Sequence, residues 1–285
     1  MEDSKAAPLN QLHSREDFLR RVQTADSVFL PREVFEALYL TPKRNVPGDL
    51  RRKFGNPTPA ALIGFVMSAT PYAAASMGWR GAGGLGGALI PTMIFFGGVL
   101  QIIGAIGEWI LGNTFPMCLF FTYGTFWIVA GTQLIPWFGV GVQYSTTGNS
   151  FHGMTEPSYY ATVGFYYLAL TMVTTIFTVC ALRTNVVFFS ALFTLIFAFG
   201  SATGAFWNLA LGDADLGKKL TIAAGAFTWA LTMMVWYLLA VQLLESVDFP
   251  LTLPVGDLSK VIKGKTERTA KKEGSGGTVD GTPTE

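Results

Sequence analysis

Phe54-Gly55-Asn56-Pro57-Thr58-Pro59-Ala60-Ala61-Leu62-Ile63-Gly64-Phe65 is where this chain changes character. Upstream, Arg51, Arg52 and Lys53 close a charged, proline-rich arm; downstream the sequence is almost wholly apolar. Asn56 is a helix N-cap by type, because its side-chain oxygen can accept from a first-turn N–H. Pro57 and Pro59 suit that first turn, where no N–H partner is lost. The stretch therefore predicts a helix opening at Asn56, its positive end facing whatever lies beside it. Two readings of it are open: a first-turn signal alone, or an anion-attracting tip.

The apolar sequence beyond Phe65 decides the fold class. Half of the 285 residues are hydrophobic, 14% are charged, and the mean hydropathy is +0.40, too apolar for an ordinary soluble domain. The charge is also segregated: between Ala60 and Leu182 the only Arg, Lys, Asp or Glu residues are Arg80, Glu108 and Glu156. Six segments, at about 57–79, 84–111, 115–135, 159–182, 186–211 and 220–244, reach the roughly 20 residues needed to cross about 30 Å of hydrocarbon. Pro71 predicts a kink in the first. The expectation is an all-α membrane protein with six transmembrane helices in a channel-like bundle. An N-terminal arm (1–55), partly disordered, precedes the bundle (56–245). A mostly disordered tail (246–285) ends the chain.

Lys and Arg gather in the arm, at Arg183 and in the tail from Lys260 to Lys272, which an even number of crossings places on one side. The positive-inside rule makes that side cytoplasmic. In the arm, 15–22 and 34–40 read as short amphipathic helices, able to lie on an anionic membrane face or to remain a solvated tail. The loop 136–158 has no Lys or Arg and is expected outside.

Composition also excludes. A net charge of +1 without a basic aromatic patch gives no case for nucleic acid. His13 and His152 both lie outside the spans, so no intramembrane metal or haem constellation is expected. No P-loop is present, and no catalytic nucleophile–base pair stands out. The chain is expected to be no enzyme and to need no cofactor or metal. Cys118 and Cys180 read as packing residues. No apolar run near Met1 suggests a cleavable leader.

A few residues stand out within the spans. Glu108 is the one acid inside a predicted crossing, and it either bonds to a neighbouring helix or handles protons. Gln101 lies seven residues earlier, on nearly the same face, so that Gln101, Gly104 and Glu108 form a small polar seam. Asn113 or Thr114 can cap the third helix. Tyr123, deep in a span, needs a partner for its hydroxyl. Gly200 and Gly204 form a Gly-xxx-Gly pair that predicts close helix packing.

Taken in order, Asn56-Pro57-Thr58-Pro59-Ala60-Ala61-Leu62, Phe95-Phe96-Gly97-Gly98…Gln101…Glu108, Gly112-Asn113-Thr114-Phe115 and Thr122-Tyr123-Gly124-Thr125-Phe126-Trp127 resemble the acetate uptake transporter family. Its members include a bacterial succinate–acetate permease and fungal acetate and ammonia-export proteins. The resemblance covers about 54–245. It implies a six-helix protomer in a plasma-membrane homo-hexamer, with a path through each protomer for a small carboxylate anion and a proton. It also implies a waist of Phe, Tyr and Leu. The first two fall on Phe65 and Tyr123, and the third on Ala191, or on Leu192 if the register differs by one. Ala191 would leave a wider waist. The expected path residues are thus Asn56, Pro57, Pro59, Phe65, Gln101, Glu108, Tyr123, Ala191 and Leu192. Thr58, Ala60 and Ala61 depart from the family's Asn-Pro-Ala-Pro-Leu-Gly-Leu hallmark. The departures leave open a membrane sensor or scaffold that moves nothing, and ammonia or ammonium as the cargo. The long arm and tail suggest a fungal member.

Overall fold

The computed structural model describes residues 54–258. The arm, its two amphipathic stretches, the 51–53 cluster and the tail beyond 258 lie outside the described residues.

Six long helices make up the bundle: α1 (Thr58–Ser76), α2 (Gly86–Ile110), α3 (Thr114–Gln133), α4 (Pro157–Ala181), α5 (Val186–Ala210) and α6 (Ala214–Ser246). Helices α2 to α6 are each long and apolar enough to cross a membrane. Helix α1 has 19 residues, or about 28 Å at 1.5 Å per residue. It carries Thr58, Ser68, Thr70 and Ser76, a polar content that its burial between neighbours explains. It packs against both α2 and α6, while α3 lies on α2 and α5 lies between α4 and α6. Pro71 sits inside α1, which continues past it to Ser76.

Two helices differ from expectation. Helix α6 starts at Ala214 rather than near 220 and carries Lys218 and Lys219 within it. Its polar first turn is helical for local reasons: Asp213 caps it, accepting from the Leu216 N–H at 3.0 Å, and Lys219 pairs with Asp215 at 2.6 Å. A hydropathy reading sees only the apolar turns beyond. Helix α2 is composite. After a 3₁₀ entry it passes through a π-helical stretch, Met93–Leu100, before the regular α-helix Gln101–Ile110. The widened stretch contains Gly97 and Gly98, over which α3 lays Trp127 and Ile128. Such insertions recur at functional sites.

The close approaches explain the glycines. A Cβ at Gly104 would lie 2.6 Å from the Cβ of Ala61, and one at Gly107 would lie 2.5 Å from that of Pro57. Helices α1 and α2 therefore touch nearly backbone to backbone along the first turns of α1, as small residues permit in membranes. The expected Gly200–Gly204 contact is not of this kind. Gly200 is exposed with nothing within 4 Å, and Gly204 meets only Leu220 Cδ1 at 3.2 Å.

The loop 136–156 is folded on itself: Asn149 caps the short helix Ser150–Gly153, accepting from the Phe151 N–H at 2.9 Å. At the other end of the bundle the chain after α6 turns back as a strap. The Val186 N–H donates to Gly256 O (2.8 Å), the Leu258 N–H to Thr184 O (3.0 Å), and the Tyr237 hydroxyl to Pro254 O (2.7 Å). Val255 is buried in the main core. The strap thus occupies donors of the first turn of α5 that would otherwise be orphaned. Tyr237→Phe is expected to cost about 0.5–1.5 kcal/mol and to speed hydrogen exchange at the Val186 and Leu258 amides. Unchanged protection at both amides would show that the strap is held by Val255 alone.

Candidate functional site

Helix α1 opens one residue later than expected, with Pro57 at its N-cap and no side-chain cap bond; Asn56, just before it, accepts the Thr58 N–H at 3.1 Å. This has a consequence for the expected anion-attracting tip. Pro57 and Pro59 have no N–H, the Thr58 N–H goes to Asn56, and the Ala60 N–H goes to Pro57 O at 3.1 Å. The first turn therefore holds no unspent backbone donor among these residues. What it can offer an anion is the helix dipole and the amide of the exposed Asn56 side chain.

Just inside, three elements meet at Glu108. Its carboxylate is fully buried, accepting from the Thr58 hydroxyl of α1 and from Asn113 Nδ2, at the turn into α3, at 2.5 Å. Two donors answer a buried group that would be costly to leave unpaired. Glu108 thus ties α1, α2 and α3 together, the neighbour-bonding alternative of the two that its sequence left open. Asn113 heads α3, but its side chain serves Glu108 and makes no cap bond to the helix it begins. Thr58, which departs from the family hallmark, is the residue that completes this junction.

Further along, aromatic rings form a continuous file. Phe188 packs edge-on to Phe115 (6.1 Å) and Phe115 to Phe177 (6.1 Å); Phe177 meets Tyr123 at 6.1 Å. Tyr123 stacks on Phe199 (6.3 Å), which edges Phe126 (5.4 Å); Phe126 edges Trp127 (5.1 Å). Trp127 then meets Phe65 (6.5 Å) and Tyr72 (5.6 Å) of α1. The Tyr123 hydroxyl shares a 2.9 Å hydrogen bond with Thr174 Oγ1 of α4, which answers its need for a partner. Ala191 and Leu192 are both 4% exposed, in the same buried cluster as Tyr123. With Leu195 and Phe199 they form one inward face of α5.

Gln101 is 1% exposed, its stem against Gly64 of α1 and Gly124 of α3. Its Oε1 and the Trp127 Nε1, on a residue 2% exposed, are buried without a hydrogen-bond partner among the described residues. Sequence reasoning gave Trp127 no role beyond its place in a family motif and missed Thr174. Spacing marked Thr174, which lies in a run of Thr171, Thr174, Thr175 and Thr178 along an otherwise apolar helix. Nothing local marked the indole, because its lack of a partner is a tertiary fact.

With this geometry in place, comparison with known proteins gives the lineage. The model of the GPR1/FUN34/yaaH family matches residues 40–260. The chain belongs to that family. Protein alcS of Aspergillus fumigatus is 43% identical over 235 residues, 82% of this chain and 86% of its own length. Acetate permease A of Emericella nidulans is 28% identical over 223 residues, 76% of this chain and 71% of its own. Ammonia transport outward protein 2 of Saccharomyces cerevisiae is 28% identical over 206 residues, 70% of this chain and 68% of its own. The structure of the bacterial acetate channel SatP aligns with a TM-score of 0.52 at 25% identity, covering 71% of this chain and 99% of that one. The GPR1/FUN34/yaaH fold is thus a multi-pass membrane bundle, and the last three of these relatives are named for an acetate permease, for outward ammonia transport and for an acetate channel.

Proposed function

We propose that this chain is a plasma-membrane transporter of acetate and similar short monocarboxylic acids, moving a proton with each. The observation that carries the reading is the Tyr123 site. A tyrosine pinned by Thr174 stands between Phe177 and Phe199, in the same buried cluster as Ala191 and Leu192, in a family whose relatives include a named acetate permease and an acetate channel. Aromatic walls favour a methyl group, and a narrow apolar constriction strips water from whatever passes. The Asn56 end and the strap end lie on the same side, which the positive-inside rule assigns to the cytoplasm. There the dipole of α1 and the Asn56 amide stabilise a released anion; a short carboxylic acid is ionised at neutral pH. Six helices leave much apolar surface on each protomer, including Phe95, Trp109 and Phe165, for lipid and for neighbours in a homo-hexamer.

Purified protein in liposomes, loaded with a pH indicator and given labelled acetate, tests the proposal. Protein-dependent uptake with matching acidification is expected. A chain that binds but moves nothing would be a sensor or scaffold. Ammonia export is the second reading, favoured by the relative named for that activity; ammonium would then compete and propionate would not. Ala191→Leu supplies the bulk that the family's third waist residue has elsewhere. It is expected to cut propionate uptake by about tenfold while sparing acetate, since one methylene in an apolar site discriminates by about 10–200-fold.

A further inference from the structure

The buried pair at the α1–α2–α3 junction bears on which form of the acid crosses. Trp127 Nε1 is a donor that cannot accept, and Gln101 Oε1 is an acceptor that cannot donate. Both are buried, 2% and 1% exposed by residue, and both lack a partner among the described residues. Their setting is fixed. Gln101 rises between Gly64 and Gly124, and a Cβ on either glycine would come within 3.2 Å of its side chain. Trp127 lies over Gly97, one turn before Gln101 on α2, where a Cβ would come within 2.4 Å of its Cγ. Of the hydroxyls nearby, Ser68 Oγ spends its proton on Thr92 O at 3.0 Å, and the Tyr123 hydroxyl bonds Thr174. Two unspent, complementary polar atoms, on side chains that both pack along the Gly97–Gln101 turn of α2, are costly in an apolar bundle unless something answers each.

The charge around them narrows what that something is. Helices α1, α3, α4 and α5 contain no Asp, Glu, Lys, Arg or His, and the one acid in α2, Glu108, is held by Thr58 and Asn113. No cation is present in these helices to balance a carboxylate, which in such a medium is far costlier than a neutral group. Taking the acid-transport reading above as its basis, the geometry points to a station at Trp127 and Gln101 that holds the protonated acid. The indole N–H donates to the acid's carbonyl oxygen, and the acid's O–H donates to Gln101 Oε1. The proton enters on the acid from the outer solution and leaves with it. On the cytoplasmic side the acid ionises, its proton going to water and its anion to the Asn56 end. No protein side chain need titrate for acid and proton to move together.

The test uses purified full-length protein in liposomes. Protein-dependent acetate uptake at fixed total acetate should follow the protonated fraction, rising about tenfold per pH unit of acidification above the acid's own pKa. Acetamide, neutral with one carbonyl and an N–H, should compete; methanesulfonate, of similar size but permanently ionised, should not. Trp127→Phe, which keeps an aromatic ring, and Gln101→Leu should each lower uptake by about tenfold or more and abolish competition by acetamide. Competition by methanesulfonate equal to that of acetamide would overturn the station, as would wild-type uptake in both variants. Swelling of the liposomes in acetamide separates the two claims. Acetamide entry without acetate flux would sustain the station and refute acid transport. Acetate flux with methanesulfonate competition would do the reverse, and no entry of either solute would end both.

Discussion

Glu108→Ala is expected to be among the most damaging single substitutions in this chain. It removes the acceptor shared by Thr58 and Asn113 and strands a buried hydroxyl and a half-buried amide. Each stranded group costs about 1–3 kcal/mol, and the missing side chain leaves a void besides. A total of about 4 kcal/mol is a large share of the margin by which folded proteins exist. The expected result is loss of monodisperse protein on size exclusion in detergent, with the residual population unfolding many degrees lower. Glu108→Gln separates tying from proton handling. It keeps the volume and one acceptor, so most of the fold should survive, and the pH dependence of uptake should keep its shape. A Gln variant that is well folded but flat with pH would return Glu108 to the role of proton carrier.

Gly104→Val should be comparably severe. Its Cβ alone would stand 2.6 Å from the Ala61 Cβ and 3.2 Å from the Ala61 backbone, and the backbone cannot move aside as a flexible side chain could. Helices α1 and α2 would have to separate, carrying Thr58 away from Glu108 as they did. Overpacking of this kind costs about 1–3 kcal/mol or more, and the broken junction adds to it. Gly200→Val is the matched control. Open space surrounds that glycine, so a change within about 0.5 kcal/mol is expected there. Thermal unfolding of the two variants side by side checks the contrast. Equal effects would mean that the α1–α2 contact is looser than the structure has it.

These two glycines also show where reading the chain alone stops. Gly200 and Gly204 make the tidier motif, yet one faces open space. Gly104 and Gly107 carry the contact because α1 happens to cross them. A spacing says which residues share a helix face; it does not say what that face meets. Thr58 teaches the same point. As a departure from the hallmark it reads as a weakened family likeness, and in the bundle its hydroxyl bonds the buried carboxylate. The Asn56–Thr58 bond, by contrast, was legible because its partner is two residues away.

By itself the sequence determined the quantities that depend on near neighbours. These are the apolar segments, the breaks between them, the opening of α1 close to Asn56, and the presence of a single acid, Glu108, inside the spans. Each arises from local hydropathy and backbone chemistry, which act over one or two helical turns. Only the tertiary structure decided which polar groups are satisfied. It gave Glu108 to Thr58 and Asn113, gave Tyr123 to Thr174, and left Trp127 Nε1 and Gln101 Oε1 unspent. Those pairings join residues up to 51 positions apart, and helix crossings set them through side-chain volume. No window along the chain contains them.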